Sequence, residues 1–194
     1  MQKMLNIVLF GAPGCGKGTQ AAKLKEKYNL SHVSTGEIIR NEIRNRTPLG
    51  LQVAWCIEHG ELAPDQVVTG IVAEYIENNL HAAGNIFDGF PRTTAQAQMF
   101  DAILKQHGLH VDVMIYMDVP EDELVKRILL RGKDSGRADD ASEEVIKTRI
   151  ETYRAQTAIV ADHYSAQGKY EAVDGLGSVD EVFERLCSVI ERHL

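Results

Sequence analysis

The chain has 194 residues, 44% hydrophobic and 25% charged, with five prolines and a formal net charge of -7. Such a length and balance describe one soluble globular domain with a full core, and the acidic charge argues against nucleic-acid binding, which needs a concentrated basic surface. No apolar stretch reaches the length of a membrane span, and Cys15, Cys56 and Cys187 are too few and too widely spaced for a disulfide framework or paired zinc motif, which fits a reducing, cytoplasmic setting.

Met4–Phe10 is a short apolar run ahead of a glycine loop. It lacks a cleavage-like segment, so it reads as a central parallel strand buried on both faces rather than a signal peptide. The stretch GAPGCGKGTQ follows, and then Lys17–Tyr28, where Ala21, Ala22 and Leu24 among lysines predict an amphipathic helix. His32–Ser34 is a short second strand. Gly36–Leu80 is helical in pattern with no convincing strand, so it predicts a small helical subdomain inserted at one strand end. Asn85–Asp88 is a third strand, and the HGLH stretch from His107 to His110 reads as a solvated turn rather than a metal site. Val111–Val119 is a fourth strand, after which Pro120 suits the first turn of a helix running to Arg131. Arg131–Ser142 is polar and glycine-bearing, a flexible loop over a site, marked by Arg127, Arg131 and Arg137. Lys169–Asp174 supplies a fifth strand, and Ser178 with Glu181 has the spacing of a capping box ahead of the last helix. Strands alternating with helices predict a parallel sheet with helices on both faces.

The glycine loop carries the first chemistry. Placed between a strand and a helix, its glycines let backbone N–H groups converge on phosphate oxygens, and Lys17 can reach the β- and γ-phosphates. The usual pattern puts Ser or Thr directly after the lysine as a Mg²⁺ ligand. Here Gly18 stands in that place, and the hydroxyl comes one residue later at Thr19. In an open parallel sheet ligands bind at the carboxyl ends of the strands, so Asp88 and Arg92 of the DGFPR stretch are expected to face the same crevice as Lys17. Asp88 can then hold Mg²⁺ through its water shell. Cys15, inside the loop and near Lys17, is expected to be the reactive thiol.

Six stretches in series resemble the adenylate kinase family across essentially the whole chain: GAPGCGKGTQ, STGEIIR (Ser34–Arg40), GELAPD (Gly60–Asp65), DGFPRTTAQ (Asp88–Gln96), GRADD (Gly136–Asp140) and TRIETY (Thr148–Tyr153). The resemblance implies one α/β domain of the P-loop, three-layer kind: a five-stranded parallel sheet with an inserted helical AMP-binding region at about 34–80 and a short lid at about 131–142. The core would then comprise 1–33, 81–130 and 143–194. It implies Mg²⁺-dependent phosphoryl transfer from ATP to AMP giving two ADP, an activity that maintains adenine nucleotide balance, in a cytoplasmic monomer with no zinc and no nucleic-acid or membrane partner. Carried over by motif, Gly14, Cys15, Gly16, Lys17, Gly18 and Thr19 bind the ATP phosphates. Arg131 contacts ATP, and Gly177 lies beside its base. Thr35, Arg40, Glu61, Leu62 and Ala63 hold AMP, with Gly89, Phe90, Pro91, Arg92 and Gln96 completing the pocket. Arg137 and Arg149 clamp phosphates, so the catalytic set is Lys17, Arg92, Arg131, Arg137 and Arg149.

The match has departures. Glu61 and Ala63-Pro64 differ from the residues common at the edge of the AMP pocket, Asn85 replaces an apolar residue, and the interval from Arg137 to Arg149 is one residue longer than in many relatives. A UMP/CMP kinase would share the fold, but Thr35 and Gln96 stand where that type carries Ala and Asn. A non-catalytic switch of the GTPase kind is countered by the absence of an N-K-x-D signature.

Overall fold

The computed structural model describes residues 4–140 and 142–194; residues 1–3, within the expected core, and Ala141, within the expected lid, lie outside the described residues. Five parallel strands, β1 (Leu5–Phe10), β2 (Ser31–Ser34), β3 (Gly84–Asp88), β4 (Val113–Asp118) and β5 (Tyr170–Asp174), form one sheet in the order β2-β3-β1-β4-β5. Every sequence-predicted strand is present, with no end moved by more than two residues. β1 is central and buried along its whole length, which is why it reads as an apolar run interrupted only by Asn6. Its alternate side chains feed two cores. Leu5, Ile7 and Leu9 join α1 (Lys17–Tyr28) and α9 (Val179–Ile190) on one face, whereas Val8 and Phe10 join α4 (Asp65–Asn78), α5 (Thr94–Gln106) and α8 (Val160–Ser165) on the other.

Asn85 finds its explanation in strand register. It lies directly opposite Asn6 of β1, and its Nδ2 donates to Asn6 Oδ1 at 2.8 Å. Asn6 Nδ2 donates to the His110 carbonyl at 3.0 Å, and the Asn6 N–H donates to Asp112 Oδ2 at 2.8 Å. A polar residue is tolerated in the middle of the sheet because its neighbours supply hydrogen bonds.

Between β2 and β3 lie α2 (Thr35–Arg44), α3 (Pro48–Glu58) and α4, with no strand, as the pattern of Gly36–Leu80 predicts. Each of the first two helices starts at a hydroxyl cap. Ser34 accepts from the Glu37 N–H, and Thr47 accepts from the Gly50 N–H ahead of Pro48. Gly50 lets the two helices cross closely, because a Cβ there would come within 2.1 Å of the Glu42 carbonyl oxygen. Ser178 and Glu181 make the reciprocal capping box that starts α9.

The polar stretch expected to be a flexible loop is more ordered than that reading. α6 (Glu121–Ser135) runs through Arg131 and stops at Gly136, whose φ of 60° suits a glycine stop. A single 3₁₀ turn at Ala138–Asp140 follows, and Ser142 caps α7 (Glu143–Thr152). Five helix residues therefore replace the first half of the expected loop: polar residues at a helix end are solvated without leaving the helix. After α7 the backbone makes one π turn at Tyr153–Thr157, closed by the Ala158 N–H donating to the Tyr153 carbonyl at 2.7 Å. Among the described residues no helix is long and apolar enough to cross a membrane.

Candidate active site

A cleft of about 890 Å³ opens at the carboxyl ends of β1, β2 and β3. That is the size of a small-molecule site. Its floor is the loop between β1 and α1, from which Gly14, Gly16, Lys17, Gly18 and Thr19 line the cleft. The residue before α1 is Gly16 at φ 99°, a conformation that favours glycine, and it leaves the helix N-terminus without a side-chain cap. Lys17 Nζ arches over the loop and donates to the carbonyls of Gly11 at 2.8 Å and Ala12 at 3.2 Å.

A second side of the cleft comes from α2, the α3–α4 connection and the segment after β3. Thr35, Arg40, Glu61, Leu62, Ala63, Gly89, Phe90, Pro91, Arg92 and Gln96 all line the cleft there. Thr35 Oγ1 donates to the Gly89 carbonyl at 3.0 Å, and Arg92 Nε donates to the same carbonyl at 2.7 Å. One backbone oxygen thus fixes a hydroxyl and a guanidinium side by side. Arg131, Arg137 and Arg149 close the opposite wall from α6, its following turn and α7. Gly60 brings the walls together, since a Cβ at that position would sit 2.8 Å from Arg149 Cγ.

Five guanidiniums so gathered require counter-charge, and the GRADD stretch supplies it. Arg131 makes a two-pronged contact to Asp140, Nε to Oδ2 at 2.7 Å and Nη2 to Oδ1 at 2.9 Å. Arg149 also reaches Asp140 Oδ1, and its Nη2 lies 3.3 Å from Asp139 Oδ2. Arg40 approaches that same Asp139 oxygen at 3.8 Å, so one carboxylate bridges the inserted helices and α7. Burial alone would raise the Asp140 carboxyl, but its hydrogen bond to Arg131 and the charges of Arg131 and Arg149 hold it below the ordinary carboxylate range. Burial pushes the Arg40 guanidinium down to about 10, with the nearby charge of Arg137 adding to the effect. Arg92 and Arg137 are lowered in the same way, first by burial and then by Arg149 and Arg131 respectively. All remain cationic at neutral pH, in a wall that gains from an added anion.

Asp88 lies at the end of β3, buried, facing the loop: a Cβ on Gly18 would be 3.8 Å from its Oδ2. Burial would raise its carboxyl; His32, with Nε2 at 3.6 Å, and the charges of Lys17 and Arg92 outweigh that and keep it low. An ionised carboxylate beside a glycine loop at a helix N-terminus fits the chemistry of Mg²⁺, which commonly binds through one or two carboxylates plus substrate phosphates.

Two expected residues stand apart. Cys15 is 1% exposed, packed in the core with Met117, and its sulfur rests against Gly11, where a Cβ would come within 2.7 Å of it. It does not line the cleft, which corrects its reading as a ready nucleophile: the loop turns its small side chain inward so that the backbone can face out. Gly177 also lies away from the cleft wall. It follows edge strand β5, where Arg185 ties down the carbonyls of Asp174 and Leu176. Several residues that the sequence reading did not single out belong to the site. Asp139 and Asp140 were visible only as part of a motif, although an arginine cluster in a chain of charge -7 implies nearby carboxylates. Arg44 also lines the cleft, and Thr152, Tyr153 and Thr157 enter the lining around the π turn.

The sequence profile of a family described as adenylate kinase matches residues 9–169 of this chain. The chain belongs to the adenylate kinase family. It is similar to an adenylate kinase of Bacteroides fragilis, at 46% identity over 188 residues covering 97% of this chain and 99% of the relative. An adenylate kinase of Bacteroides thetaiotaomicron is 47% identical over 189 residues, covering 97% and 100%. One of Flavobacterium johnsoniae is 47% identical over 188 residues, covering 97% and 99%. As a member of the adenylate kinase family the chain is a phosphotransferase, and the cleft has the parts such an enzyme requires: an anion-binding loop, a lysine and a ring of arginines around one space.

Proposed function

We propose that this chain catalyses Mg²⁺-dependent transfer of the terminal phosphoryl group of ATP to AMP, reversibly, giving two ADP. The observation that carries the reading is the convergence of Lys17, Arg40, Arg92, Arg131, Arg137 and Arg149 on one cleft whose floor is the glycine loop. The loop amides and Lys17 hold the donor phosphates, and Arg40 and Arg92 hold the acceptor phosphate beside Thr35 and Gln96. An oxygen of the AMP phosphate attacks the γ-phosphorus, the new O–P bond forms, and the bond to the leaving ADP oxygen breaks. The attacking oxygen is already anionic, so no general base is required, and positioning with charge neutralisation carries the rate. Asp88 would hold Mg²⁺ through water, and the ion would supply further neutralisation of the donor phosphates. Arg137 and Arg149, in the wall that faces the inserted helices, bring charge to the transferring group and narrow the path for water.

The expected partners are ATP, AMP and ADP alone, and the expected state is a cytoplasmic monomer. Rates measured side by side with AMP, CMP and UMP test the acceptor. AMP should be used at least about a hundredfold better in kcat/KM, because a pocket built to hydrogen-bond one base leaves polar groups unpaired with another. Comparable use of CMP or UMP would transfer the reading to a pyrimidine nucleotide kinase. Sedimentation at micromolar protein tests the monomer.

A further inference from the structure

Beneath the acceptor pocket lies a hydrogen-bond chain that phosphate binding does not use. Gln96, in the first turn of α5, is 1% exposed, yet its side chain reaches the cleft. Its Oε1 accepts from the Arg92 backbone N–H at 2.8 Å, and its Nε2 donates to Asp65 Oδ1 at 2.9 Å. The same Asp65 oxygen accepts from Thr93 Oγ1 at 3.0 Å, and that hydroxyl in turn accepts from the Gln96 backbone N–H at 3.1 Å. Asp65 itself does not line the cleft.

A backbone N–H can only donate and an ionised carboxylate can only accept. Reversing the Gln96 amide would therefore set its NH₂ against the Arg92 N–H and its oxygen against the Asp65 carboxylate, two repulsive contacts replacing two bonds. One orientation survives. Once both bonds are made, the amide keeps one N–H and one lone pair in fixed places. Adenine offers a matching edge, an acceptor at N1 beside a donor at its 6-amino group. A 6-oxopurine offers a donor at N1 and an acceptor at O6, and so needs the reversed amide.

We infer that Asp65 is a positioning residue that locks the Gln96 amide, so that the acceptor site selects a 6-aminopurine over a 6-oxopurine monophosphate. The inference rests on the reading that Gln96 meets the base of AMP. Asp65 opens α4 in the inserted region whereas Thr93 and Gln96 begin α5, so the lock also spans the junction between the insertion and the core.

The test compares AMP with inosine monophosphate as acceptors in Asp65→Ala, Asp65→Asn and Gln96→Leu. Asp65→Ala should raise KM for AMP about tenfold and shift the ratio of kcat/KM values toward inosine monophosphate by about tenfold, with kcat within about twofold, the loss expected of one directed hydrogen bond. Asp65→Asn, whose Oδ1 can accept both bonds, should stay within about threefold of the parent. A folded Asp65→Ala enzyme with unchanged KM and unchanged ratio overturns the inference, and so does an Asn variant as impaired as Ala. Gln96→Leu separates the two levels. If it alters AMP use while Asp65→Ala does not, the lock fails and the base contact stands; if it alters nothing, both fall. A measurement on the parent enzyme needs no variant. The Gln96 side-chain amide, followed by ¹⁵N NMR without nucleotide, should show one slowly exchanging, shifted proton, and two rapidly exchanging protons would overturn the lock even if Asp65→Ala did not fold.

Discussion

On the acceptor side of the cleft, Thr35, Arg92 and Gln96 are tied to backbone atoms, to the Gly89 carbonyl and the Arg92 N–H. On the opposite wall, Arg131 and Arg149 are tied to the carboxylates of Asp139 and Asp140. Backbone partners cannot leave without rearranging the chain, so they set atoms in place and suit the reading of a base. A carboxylate, like a phosphate, is an anion that can accept two parallel hydrogen bonds from one guanidinium, so an arginine can exchange one for the other at modest net cost. On the proposed reading, base recognition would sit where bonds are directional and fixed, and phosphate handling on the far wall where ionic partners can be swapped. Asp139 joins the two systems through its contacts to Arg40 and Arg149.

The sharpest way to break this division is Arg92→Ala, since Arg92 is fixed by backbone yet points its charge into the cleft. Turnover should fall at least about a thousandfold, as for the loss of an arginine that stabilises the transferring group, while the melting temperature moves little. Steady-state kinetics beside thermal denaturation decide it, and near-normal turnover in a folded variant removes Arg92 from the reaction.

Next comes Asp140→Asn, which should act on stability before catalysis. It leaves Arg131 and Arg149 without their shared anion, and about 2 to 3 kcal/mol should be lost at neutral pH in urea denaturation, toward the lower end for a pair whose Arg131 is one-third exposed. The Asp140 carboxyl is held below its ordinary value, so its contribution is complete above the unfolded pKa of about 3.9 and disappears as pH falls through the lower folded value. Parent and variant stabilities should therefore converge below about pH 4. A gap that stays constant into strong acid would show that the carboxylate charge is not its source.

Gly18→Ser probes the floor that both walls share. Sequence alone suggests that a side chain here would crowd the phosphate-binding backbone. The structure shows room, since a Cβ would meet only Asp88 Oδ2, at 3.8 Å, and the backbone is not in the left-handed region. Turnover in a Mg²⁺ titration should change by less than about threefold, and a loss beyond about thirtyfold would restore the steric reading. The smallest effect concerns thiols. Cys56 is partly accessible whereas Cys15 and Cys187 are buried, so a thiol reagent should label Cys56 first and leave activity largely intact. Early loss of activity with labelling of Cys15 would reinstate it as an accessible nucleophile.

Much of the frame was legible because single residues announce it. The largely apolar run of Leu5–Phe10 marks a strand covered on both faces, the Ser178–Glu181 spacing marks a helix start, and the glycine loop between a strand and a helix marks the cleft floor. What stayed hidden depends on pairs distant in sequence. Asn6 and Asn85 make sense only in register, Cys15 only once the loop's direction is known, and Asp65 only when α4 meets α5. The expected lid loop misled for a local reason: Lys133–Ser135 is polar because it faces water, and solvation does not distinguish a loop from a helix end.

The π turn at Tyr153–Thr157 gives this part of the chain a tolerance to length. Each residue of an α-helix advances the chain by about 100° around its axis, so a residue added to a uniform helix swings one end against the other by more than a quarter revolution. A π turn holds one residue more than an α-helical turn would need, and by widening it absorbs that residue where it stands. Removing one residue there would let the turn tighten into α-helix while α7 and α8 keep nearly their present phase, and Arg149 would stay on Asp139 and Asp140, which lie on its own side of the turn. A change of one residue in this segment is thus taken up inside a single turn and never reaches the charged side chains as a rotation.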